Sequence, residues 1–240
     1  MRTAVIVQAR MGSSRLPGKV LCTLRGRTVL EHVLRRCSDI PGADQVVCAT
    51  PDEAGSDQIE TVARRCGADV FRGSEKDVLA RYLGAAVAAK ADVVMRVTSD
   101  CPLIDPQLCG AVLALRKREG ADYAANNLVR TFPHGLDCEA FTVAALAEAE
   151  RATQVGYDRE HVTPWLRAAA HLKKVYLSAE SARHAAERWT LDYAEDLAFL
   201  EAVFAELPEG SAGGINDVLE VLERHPEFRE LNAQRRVPIT

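Results

Sequence analysis

The residues that first indicate chemistry lie in one short segment near the N-terminus. Residues 8–19 read Gln-Ala-Arg-Met-Gly-Ser-Ser-Arg-Leu-Pro-Gly-Lys, so Arg10, Arg15 and Lys19 share one connection with two glycines. Gly12 allows close approach of the backbone to a ligand, successive N–H groups can surround an anion, and the cations can neutralise phosphates. The spacing matches neither a Walker loop nor a dinucleotide-binding glycine pattern.

We therefore predict a polyphosphate-binding loop of another type. The alternative is a solvated basic loop, which is disfavoured because the segment follows a predicted strand, where open α/β sheets bind their ligands. The predicted contacts with a nucleotide are Ala9, Arg10, Gly12, Ser13, Arg15 and Lys19.

Two aspartates also follow apolar runs that read as strands. Asp100 comes just after residues 92–97, within Thr-Ser-Asp-Cys-Pro, and Asp192 follows residues 188–191. A carboxylate at the position of Asp100 would project where a metal ion bridging a triphosphate is needed, and Mg²⁺ usually takes one or two protein carboxylates beside phosphate and water. Two structural alternatives stay open, an Asx turn at Asp100 and a helix N-cap at Asp192.

Further polar residues are candidates for ligand contacts. Asp137 and Glu139 alternate along a predicted strand, which would point both side chains the same way. Arg72, Ser74 and Asp77 follow another strand at the same sheet edge, so we predict that they line the nucleotide pocket. Helix capping by Ser74 is an equally good interpretation of that segment.

The elements that must position these residues follow a regular rhythm in the first half of the chain. Short β-branched runs alternate with amphipathic stretches, a pattern typical of parallel strands joined by crossover helices. The predicted strands are 3–8, 44–49, 69–71 and 92–97, and the predicted helices are 28–37, 56–66, 75–89 and 106–119. This pattern predicts an α/β fold with a doubly wound, mainly parallel sheet that binds ligands at the carboxyl ends of its strands.

The rhythm loosens in the second half. Strands at 122–127 and 137–141 flank a turn-rich segment and predict a small antiparallel insertion over the site, about 122–141. The remaining predicted elements are helices 142–153, 160–170, 194–206 and 215–224, strands 174–177 and 188–191, a loop at 208–214 and a polar tail. We predict one domain over residues 1–240, with 208–240 as its C-terminal helix and tail.

Composition excludes several classes of function. The formal net charge is −4, and the aromatic residues do not interleave with cations, so we predict no nucleic-acid partner. No apolar run is long enough to span a membrane or to form a signal peptide. The seven cysteines include no Cys-x-x-Cys pair and are odd in number, which favours a reducing, cytoplasmic location.

The N-terminal loop closely resembles that of the acylneuraminate and ketodeoxyoctulosonate cytidylyltransferases, especially the relatives of the spore-coat polysaccharide biosynthesis protein F type. Similar motifs occur in the same order over nearly the whole chain, at residues 8–21, 72–79, 100–106, 135–137, 159–164 and 191–197. The resemblance implies a nucleotide-diphospho-sugar transferase fold of the glycosyltransferase-A type. It also implies transfer of CMP from CTP to a small acidic sugar or sugar-like acceptor in polysaccharide or glycoconjugate biosynthesis, and a homodimer.

The resemblance further implies roles for single residues. Asp100 and Asp192 are expected to hold Mg²⁺, although Tyr193-Ala194 follows Asp192 where relatives have Thr-Pro. The cations of the loop are expected to stabilise the departing pyrophosphate. The residues expected to take part in catalysis are Arg10, Arg15, Lys19 and Asp100.

The acceptor side departs from the family pattern. Relatives usually read Pro-Asp-Gly-Leu-Asp, whereas this chain has an imidazole, His134, in place of the first carboxylate and keeps Asp137. By resemblance, Glu160 and His161 join His134, Asp137 and Glu139 as acceptor-binding residues; the alternative is a histidine packed inside a helix. Two rival functions remain: a transferase of the same fold that uses another nucleotide or a sugar-nucleotide donor, and a non-catalytic nucleotide-binding partner.

Overall fold

A computed structural model describes residues 1–208 and 213–236, and its centre is a seven-stranded sheet with the order β5-β4-β1-β6-β8-β7-β9. The strands are β1 (Thr3–Gln8), β2 (Thr23–Leu24), β3 (Arg27–Thr28), β4 (Gln45–Pro51), β5 (Asp69–Gly73), β6 (Val93–Thr98), β7 (Tyr123–Ala125), β8 (Glu139–Thr142) and β9 (Lys174–Tyr176). The strands β2 and β3 form a separate antiparallel hairpin.

Helices cover both faces of the sheet. In the described residues the helices are α1 (Val29–Ser38), α2 (Ser56–Arg65), α3 (Val78–Ala88), α4 (Pro106–Glu119), α5 (Val143–Ala152), α6 (Gly156–His161), α7 (Pro164–Ala168), α8 (Ala194–Glu206) and α9 (Ile215–Arg224). The helices α8 and α9 pack in a separate apolar cluster with the hairpin β2–β3. Two short 3-10 turns, Pro226–Glu230 and Ala233–Arg235, follow α9. The predicted loop at 208–214 and the end of the polar tail lie partly outside the described residues.

The N-terminal half of the sheet is parallel because its strands are apolar on both faces. In β1, residues 4–7 are wholly buried, and β1 pairs in parallel with β4 on one side and with β6 on the other. Helices α1, α2 and α4 pack on one face, and α3, α5 and α7 pack on the other. The α/β fold class with a mainly parallel sheet is thus confirmed, and the carboxyl ends of β1 and β6 lie side by side.

The strands β7 and β8 are antiparallel to each other, as predicted, and they extend the main sheet: β8 pairs with β6, and β7 with β9. They do not form a layer of their own. The connection between them, residues 126–138, carries His134 and Asp137.

Three local predictions need correction. The hairpin β2–β3 was not predicted; it turns at Arg25 and Gly26, which both have positive φ, the requirement of a tight two-residue turn. The single helix expected at 160–170 is two helices, α6 and α7, because Pro164 has no N–H to continue the ladder and Val162 adopts φ 70°.

The third correction concerns the strand expected at 188–191. This segment contributes only one isolated bridge, between His134 and Arg188. Its backbone N–H groups bond to two different segments, Trp189 to His134 O at 2.7 Å and Leu191 to Asp100 O at 2.8 Å, so no continuous ladder forms.

Candidate functional site

A polar cleft of about 340 Å³ lies at the carboxyl ends of β1 and β6, within the size range typical of small-molecule sites. Among the predicted site residues, the cleft is lined by Ala9, Arg10, Gly12, Ser13, Arg15, Lys19, Asp100, Glu160, His161 and Asp192. The structure thus brings the N-terminal loop, both aspartates and the end of α6 to one place.

The loop that follows β1 is closed by its own backbone. Gly18 donates its N–H to Met11 O at 3.2 Å and adopts φ 70°, a conformation that favours glycine. Lys19 then begins a 3-10 turn, and Ser13 accepts a hydrogen bond from the Leu16 N–H at 3.3 Å. This closure turns the chain back, so that the side chain of Lys19 enters the cleft from its loop side.

Lys19 joins the two aspartates at the floor of the cleft. Its Nζ lies 2.8 Å from Asp100 Oδ2 and 2.9 Å from Asp192 Oδ1, and it also donates to Leu191 O at 2.8 Å. Two carboxylates far apart in the sequence are therefore held against one ammonium group.

Backbone contacts explain why the two aspartates converge. The Leu191 N–H and the Thr190 hydroxyl both donate to Asp100 O, at 2.8 and 3.1 Å. The Thr98 hydroxyl, at the end of β6, donates to Asp100 Oδ1 at 2.6 Å. The end of β6 and the segment before Asp192 thus lie side by side, and the orientation of the Asp100 carboxylate is fixed through its second oxygen.

Both carboxylates are ionised in this arrangement. Burial disfavours the charged form of Asp100, but the Lys19 ammonium outweighs burial and lowers the pKa of Asp100 below its usual value. Burial likewise opposes ionisation of Asp192, and hydrogen bonds from Lys19 and Arg188 lower its pKa. The pKa of Lys19 is raised, because the two carboxylates overcome the effect of burial.

Asp192 is not the N-cap of α8. The helix begins after Tyr193, and the buried Asp196 carboxylate accepts the N–H groups of Asp192 and Tyr193 at 2.9 and 3.1 Å. Arg188 holds Asp196 at 2.8 Å and Asp192 Oδ2 at 3.0 Å. The side chain of Asp192 is therefore available to the cleft, while Asp196 performs the capping.

Arg15 is positioned by an aromatic ring as well as by charge. Its Nη1 lies 3.6 Å from Asp192 Oδ2, and its guanidinium lies 5.2 Å from the centroid of the Tyr193 ring. Arg235, from the last 3-10 turn, lies 4.0 Å from the same centroid and pairs with Glu195 at 2.9 Å. The C-terminal segment thus contacts the same aromatic side chain as the loop.

The cleft also contains two arginines that the sequence interpretation missed. Arg81 on α3 is 2% exposed, and Arg96 on β6 pairs with Glu139 at 2.6 Å. Each interrupts an otherwise apolar run, Val-Leu-Ala-Arg-Tyr-Leu and Val-Val-Met-Arg-Val. A cation on the buried face of a helix or inside a buried strand is the signal that could have identified them.

The nucleotide contacts predicted at the end of β5 and just after it, Arg72, Ser74 and Asp77, lie outside the lining of the cleft. Arg72 pairs with Asp57 at 2.8 Å and Glu60 at 3.2 Å, on the side of α2. Asp77 caps α3 by accepting the Ala80 N–H at 2.9 Å, and Ser74 accepts the Asp77 N–H at 3.0 Å. Asp77 rather than Ser74 is therefore the N-cap of α3, and the nucleotide contacts predicted for this segment stay predictions.

The predicted acceptor residues are divided. Glu160 and His161 line the cleft, whereas His134 and Asp137 lie beside it: His134 Nδ1 is 3.2 Å from Arg188 Nη1, and its Nε2 is 3.7 Å from Asp137 Oδ2. Burial lowers the pKa of His134, although Asp137 opposes that shift.

The expectation that Glu139 contacts an acceptor is corrected by its burial. Glu139 is 1% exposed, pairs with Arg96 and with Arg167 at 2.5 Å, and accepts the Tyr123 hydroxyl at 2.5 Å. Burial opposes its ionisation, but the two arginines lower the pKa of Glu139 to about 2. One carboxylate oxygen holds Arg96, which lines the cleft, and the other accepts from Tyr123 and Arg167.

The two carboxylates fit a hard divalent cation that would also be coordinated by phosphate oxygens. Asp100 and Asp192 each present one carboxylate oxygen to the same ammonium group, and Mg²⁺ commonly uses one or two such carboxylates. No group of three or more His, Cys, Asp or Glu side chains suited to a metal occurs among residues 1–208 and 213–236, so phosphate and water would complete the shell. A mainly parallel sheet with a cationic loop after β1 and a carboxylate pair at its edge is an arrangement suited to binding a polyphosphate together with a metal ion.

Comparison with known proteins gives the family. The family model described as cytidylyltransferase matches residues 4–218. The chain is 33% identical over 230 residues to the spore coat polysaccharide biosynthesis protein SpsF of Bacillus subtilis, covering 92% of this chain and 94% of that protein. The chain belongs to the cytidylyltransferase family, and the resemblance read from its motifs is confirmed.

Solved structures agree. A cytidylyltransferase from Leptospira borgpetersenii has a TM-score of 0.88 and 31% identity, covering 95% of this chain and 96% of that chain. A CMP:2-keto-3-deoxy-manno-octonic acid synthetase in complex with CTP has a TM-score of 0.64 at 17% identity, covering 86% and 99%, and supports the fold alone. In the part of the chain that the structure describes, no helix is both long and apolar enough to cross a membrane.

Proposed function

We propose that this protein transfers CMP from CTP to a small acidic sugar or sugar-like acceptor and releases pyrophosphate. The observation that carries the proposal is the cleft floor, where Lys19 joins Asp100 and Asp192 directly beneath the cationic loop. Family membership and the SpsF-like relative support CTP and a sugar-type acceptor.

In the proposed reaction, the oxygen of an acceptor hydroxyl attacks the α-phosphorus of CTP and its proton passes to water. The bond from the α-phosphorus to the bridging oxygen breaks, and pyrophosphate leaves. The protein's contribution is to position the triphosphate and to neutralise charge growing on the leaving group. Arg10 and Arg15, which line the cleft, would stabilise the pyrophosphate. Mg²⁺, held by Asp100 and Asp192, would supply electrostatic stabilisation of the phosphates.

On the acceptor side, Glu160 and His161 are the proposed contacts, with His134 and Asp137 at the margin of the cleft. An acidic acceptor fits a cleft that Arg96 lines together with the cations of the loop. The seven unpaired thiols support the proposal of a cytoplasmic enzyme.

The function is tested by measuring pyrophosphate release with Mg²⁺, each of the four nucleoside triphosphates, and a panel of acceptors: ketodeoxyoctulosonate, an acylneuraminate, a sugar phosphate and a phosphonate. We expect release with CTP and an acidic sugar, and a CMP-linked product by mass spectrometry. Turnover with another nucleotide would replace the proposed donor, and nucleotide binding without turnover for any acceptor would indicate a non-catalytic partner.

A matched pair of variants tests the site. Asp100→Asn should lower kcat by about 10²–10³, a loss typical of removing one group that stabilises transition-state charge. Asp39→Asn, an exposed aspartate at the end of α1, should leave kcat unchanged. Equal activity of the two variants would contradict the proposed role of Asp100.

A further inference from the structure

All three N–H groups of the Lys19 ammonium donate to acceptors at the carboxylate site. An ammonium has three N–H donors, and Lys19 directs them to Asp100 Oδ2, Asp192 Oδ1 and Leu191 O, all within 2.9 Å. The side chain is only 13% exposed. In this conformation Lys19 has no donor left for a phosphate.

The same two carboxylate oxygens are the proposed ligands of the divalent cation. A cation bound to both would have to approach Asp100 Oδ2 and Asp192 Oδ1 more closely than the ammonium does, since Mg²⁺–oxygen distances are about 2.0–2.1 Å. The ammonium and the metal therefore cannot occupy this position together. Lys19 must leave before the metal binds.

The carboxylates are held in place independently of Lys19. The second oxygen of Asp100 accepts the Thr98 hydroxyl at 2.6 Å, and the second oxygen of Asp192 accepts from Arg188 at 3.0 Å. Departure of the ammonium would leave both oxygens oriented towards the same point.

The Lys19 side chain can reach the proposed triphosphate site when it leaves the carboxylates. Lys19 follows Gly18 at the end of the closed loop, and its flexible four-carbon stem can swing while the backbone stays fixed. The neighbouring cleft residues Arg10, Gly12 and Arg15 belong to the loop proposed to bind the triphosphate. A swing of this kind would take the ammonium from the carboxylates to the phosphates.

We propose that Lys19 is an exchangeable counter-ion: it occupies the metal position until metal and nucleotide bind together, and then transfers to the triphosphate. The inference rests on the proposed function, because it assumes that Asp100 and Asp192 hold the metal. Metal alone would displace Lys19 without giving it a new anionic partner, whereas metal with a triphosphate supplies that partner. Metal and nucleotide should therefore bind with positive coupling.

The test measures the affinity of the protein for Mn²⁺ in the absence of nucleotide. Electron paramagnetic resonance quantifies the free Mn²⁺. Lys19→Met should bind Mn²⁺ about tenfold more tightly than the wild type, a change within the usual range of coupling between sites. In the presence of CTP without acceptor, with the Mn²⁺–CTP equilibrium measured separately, the wild type should gain more Mn²⁺ affinity than Lys19→Met does.

Arg15→Met is the matched control. It removes one positive charge near Asp192, but the Arg15 guanidinium, at 3.6 Å, does not bridge the two carboxylates. Its Mn²⁺ affinity should change less than that of Lys19→Met; an equal gain would show that net charge, not occupancy, sets the affinity and would overturn the proposal. Thermal unfolding checks each variant, and Lys19→Gln replaces Lys19→Met if the latter does not fold.

Two outcomes separate this inference from the proposed function. If Lys19→Met binds Mn²⁺ no more tightly than the wild type, while Asp100→Asn in that background weakens binding, the metal site stands and the exchange is overturned. If Mn²⁺ binding is unaffected by Asp100→Asn and Asp192→Asn, the metal lies elsewhere and the proposed metal ligands are wrong.

Discussion

At the scale of single residues, Arg81 is a buried arginine of the cleft that donates to backbone oxygens. It is 2% exposed, and no carboxylate lies within ion-pairing distance of it among residues 1–208 and 213–236; its Nη1 donates to the Ser74 and Glu75 carbonyl oxygens. Burial lowers the pKa of Arg81. A buried cation that lines the cleft without a counter-ion favours an anionic or strongly polar ligand.

Arg81 and Arg72 therefore form a matched test of nucleotide binding. Arg81→Met should weaken CTP binding about tenfold, the loss expected when a charge-assisted hydrogen bond is removed. Arg72→Met, which removes an arginine already paired with Asp57 and Glu60, should leave CTP affinity within about twofold, as expected for a surface ion pair. Isothermal titration with CTP measures both. If both variants lost the same CTP affinity, Arg72 would belong to the nucleotide site and the distinct role of Arg81 would be contradicted.

Residue spacing identified much of the site because the cationic loop and the two aspartates each follow a predicted sheet edge. Arg81 and Arg96 were missed because their roles depend on burial, which the sequence does not state. The predicted acceptor contact of Glu139 was wrong for the same reason. Alternation along a strand predicts which way a side chain points, but it does not reveal the two arginines that enclose Glu139.

At the scale of elements, Tyr193 at the start of α8 contacts both the N-terminal loop and the turn Ala233–Arg235. Arg15 and Arg235 both lie against its ring, and the buried Asn232 donates to Arg188 O at 2.9 Å and to Asp196 at 3.2 Å. The aromatic contact with Arg15 therefore depends on the ring of Tyr193.

Removing the ring should loosen Arg15. Tyr193→Ala is expected to raise KM for CTP about three- to tenfold with a smaller effect on kcat, since one cation–π contact contributes about 0.5–2 kcal/mol. Tyr193→Phe keeps the ring and should behave like the wild type. Steady-state kinetics over a range of CTP concentrations provide the measurement, with Tyr176→Ala, an exposed tyrosine in β9, as control. If the Phe variant were as impaired as the Ala variant, the stacking explanation would fail.

Elements with strong periodicity were predictable, and those defined by tertiary contacts were not. The apolar strands β1, β4 and β6 have no other stable place than a sheet covered on both faces. Residues 188–191 resemble a strand in composition, but their N–H groups serve two separate segments. The hairpin β2–β3 has only two residues per strand, too few to show a period.

At the scale of the whole molecule, the buried charge network around Glu139 connects the two halves of the sheet. Glu139 in β8 joins Arg96 in β6 to Arg167 in α7 and to Tyr123 in β7. Because one buried carboxylate balances two guanidinium groups, its loss would leave both without their ion-pair partner.

Stability should therefore depend on Glu139 and on pH. Glu139→Gln is expected to lower the free energy of unfolding by roughly 3–5 kcal/mol at pH 7, the usual cost of breaking a buried ion pair. Glu148→Gln, which removes an exposed partner of His171, should change it by less than about 1 kcal/mol. Urea unfolding at several pH values measures both. A Glu139→Gln variant as stable as Glu148→Gln would contradict the structural role.

The pH dependence follows from the lowered pKa. The pKa of Glu139 is about 2 in the folded protein, against about 4.3 in an unfolded chain. Its contribution is therefore fully present above about pH 5 and is lost as the pH falls towards 2, because the unfolded chain takes up the proton first. The difference between the wild type and Glu139→Gln should shrink over that interval.

The contact between Lys19 and Asp192 also has a consequence for the protein's own synthesis on the ribosome, because it joins residues 173 positions apart. On a ribosome that adds about 5–20 residues per second, Asp192 is made about 10–35 s after Lys19. The loop, β1 and β6 can all emerge while one carboxylate of the pair does not yet exist. A nascent chain should therefore be unable to capture metal and nucleotide together until about four-fifths of the 240 residues have been translated.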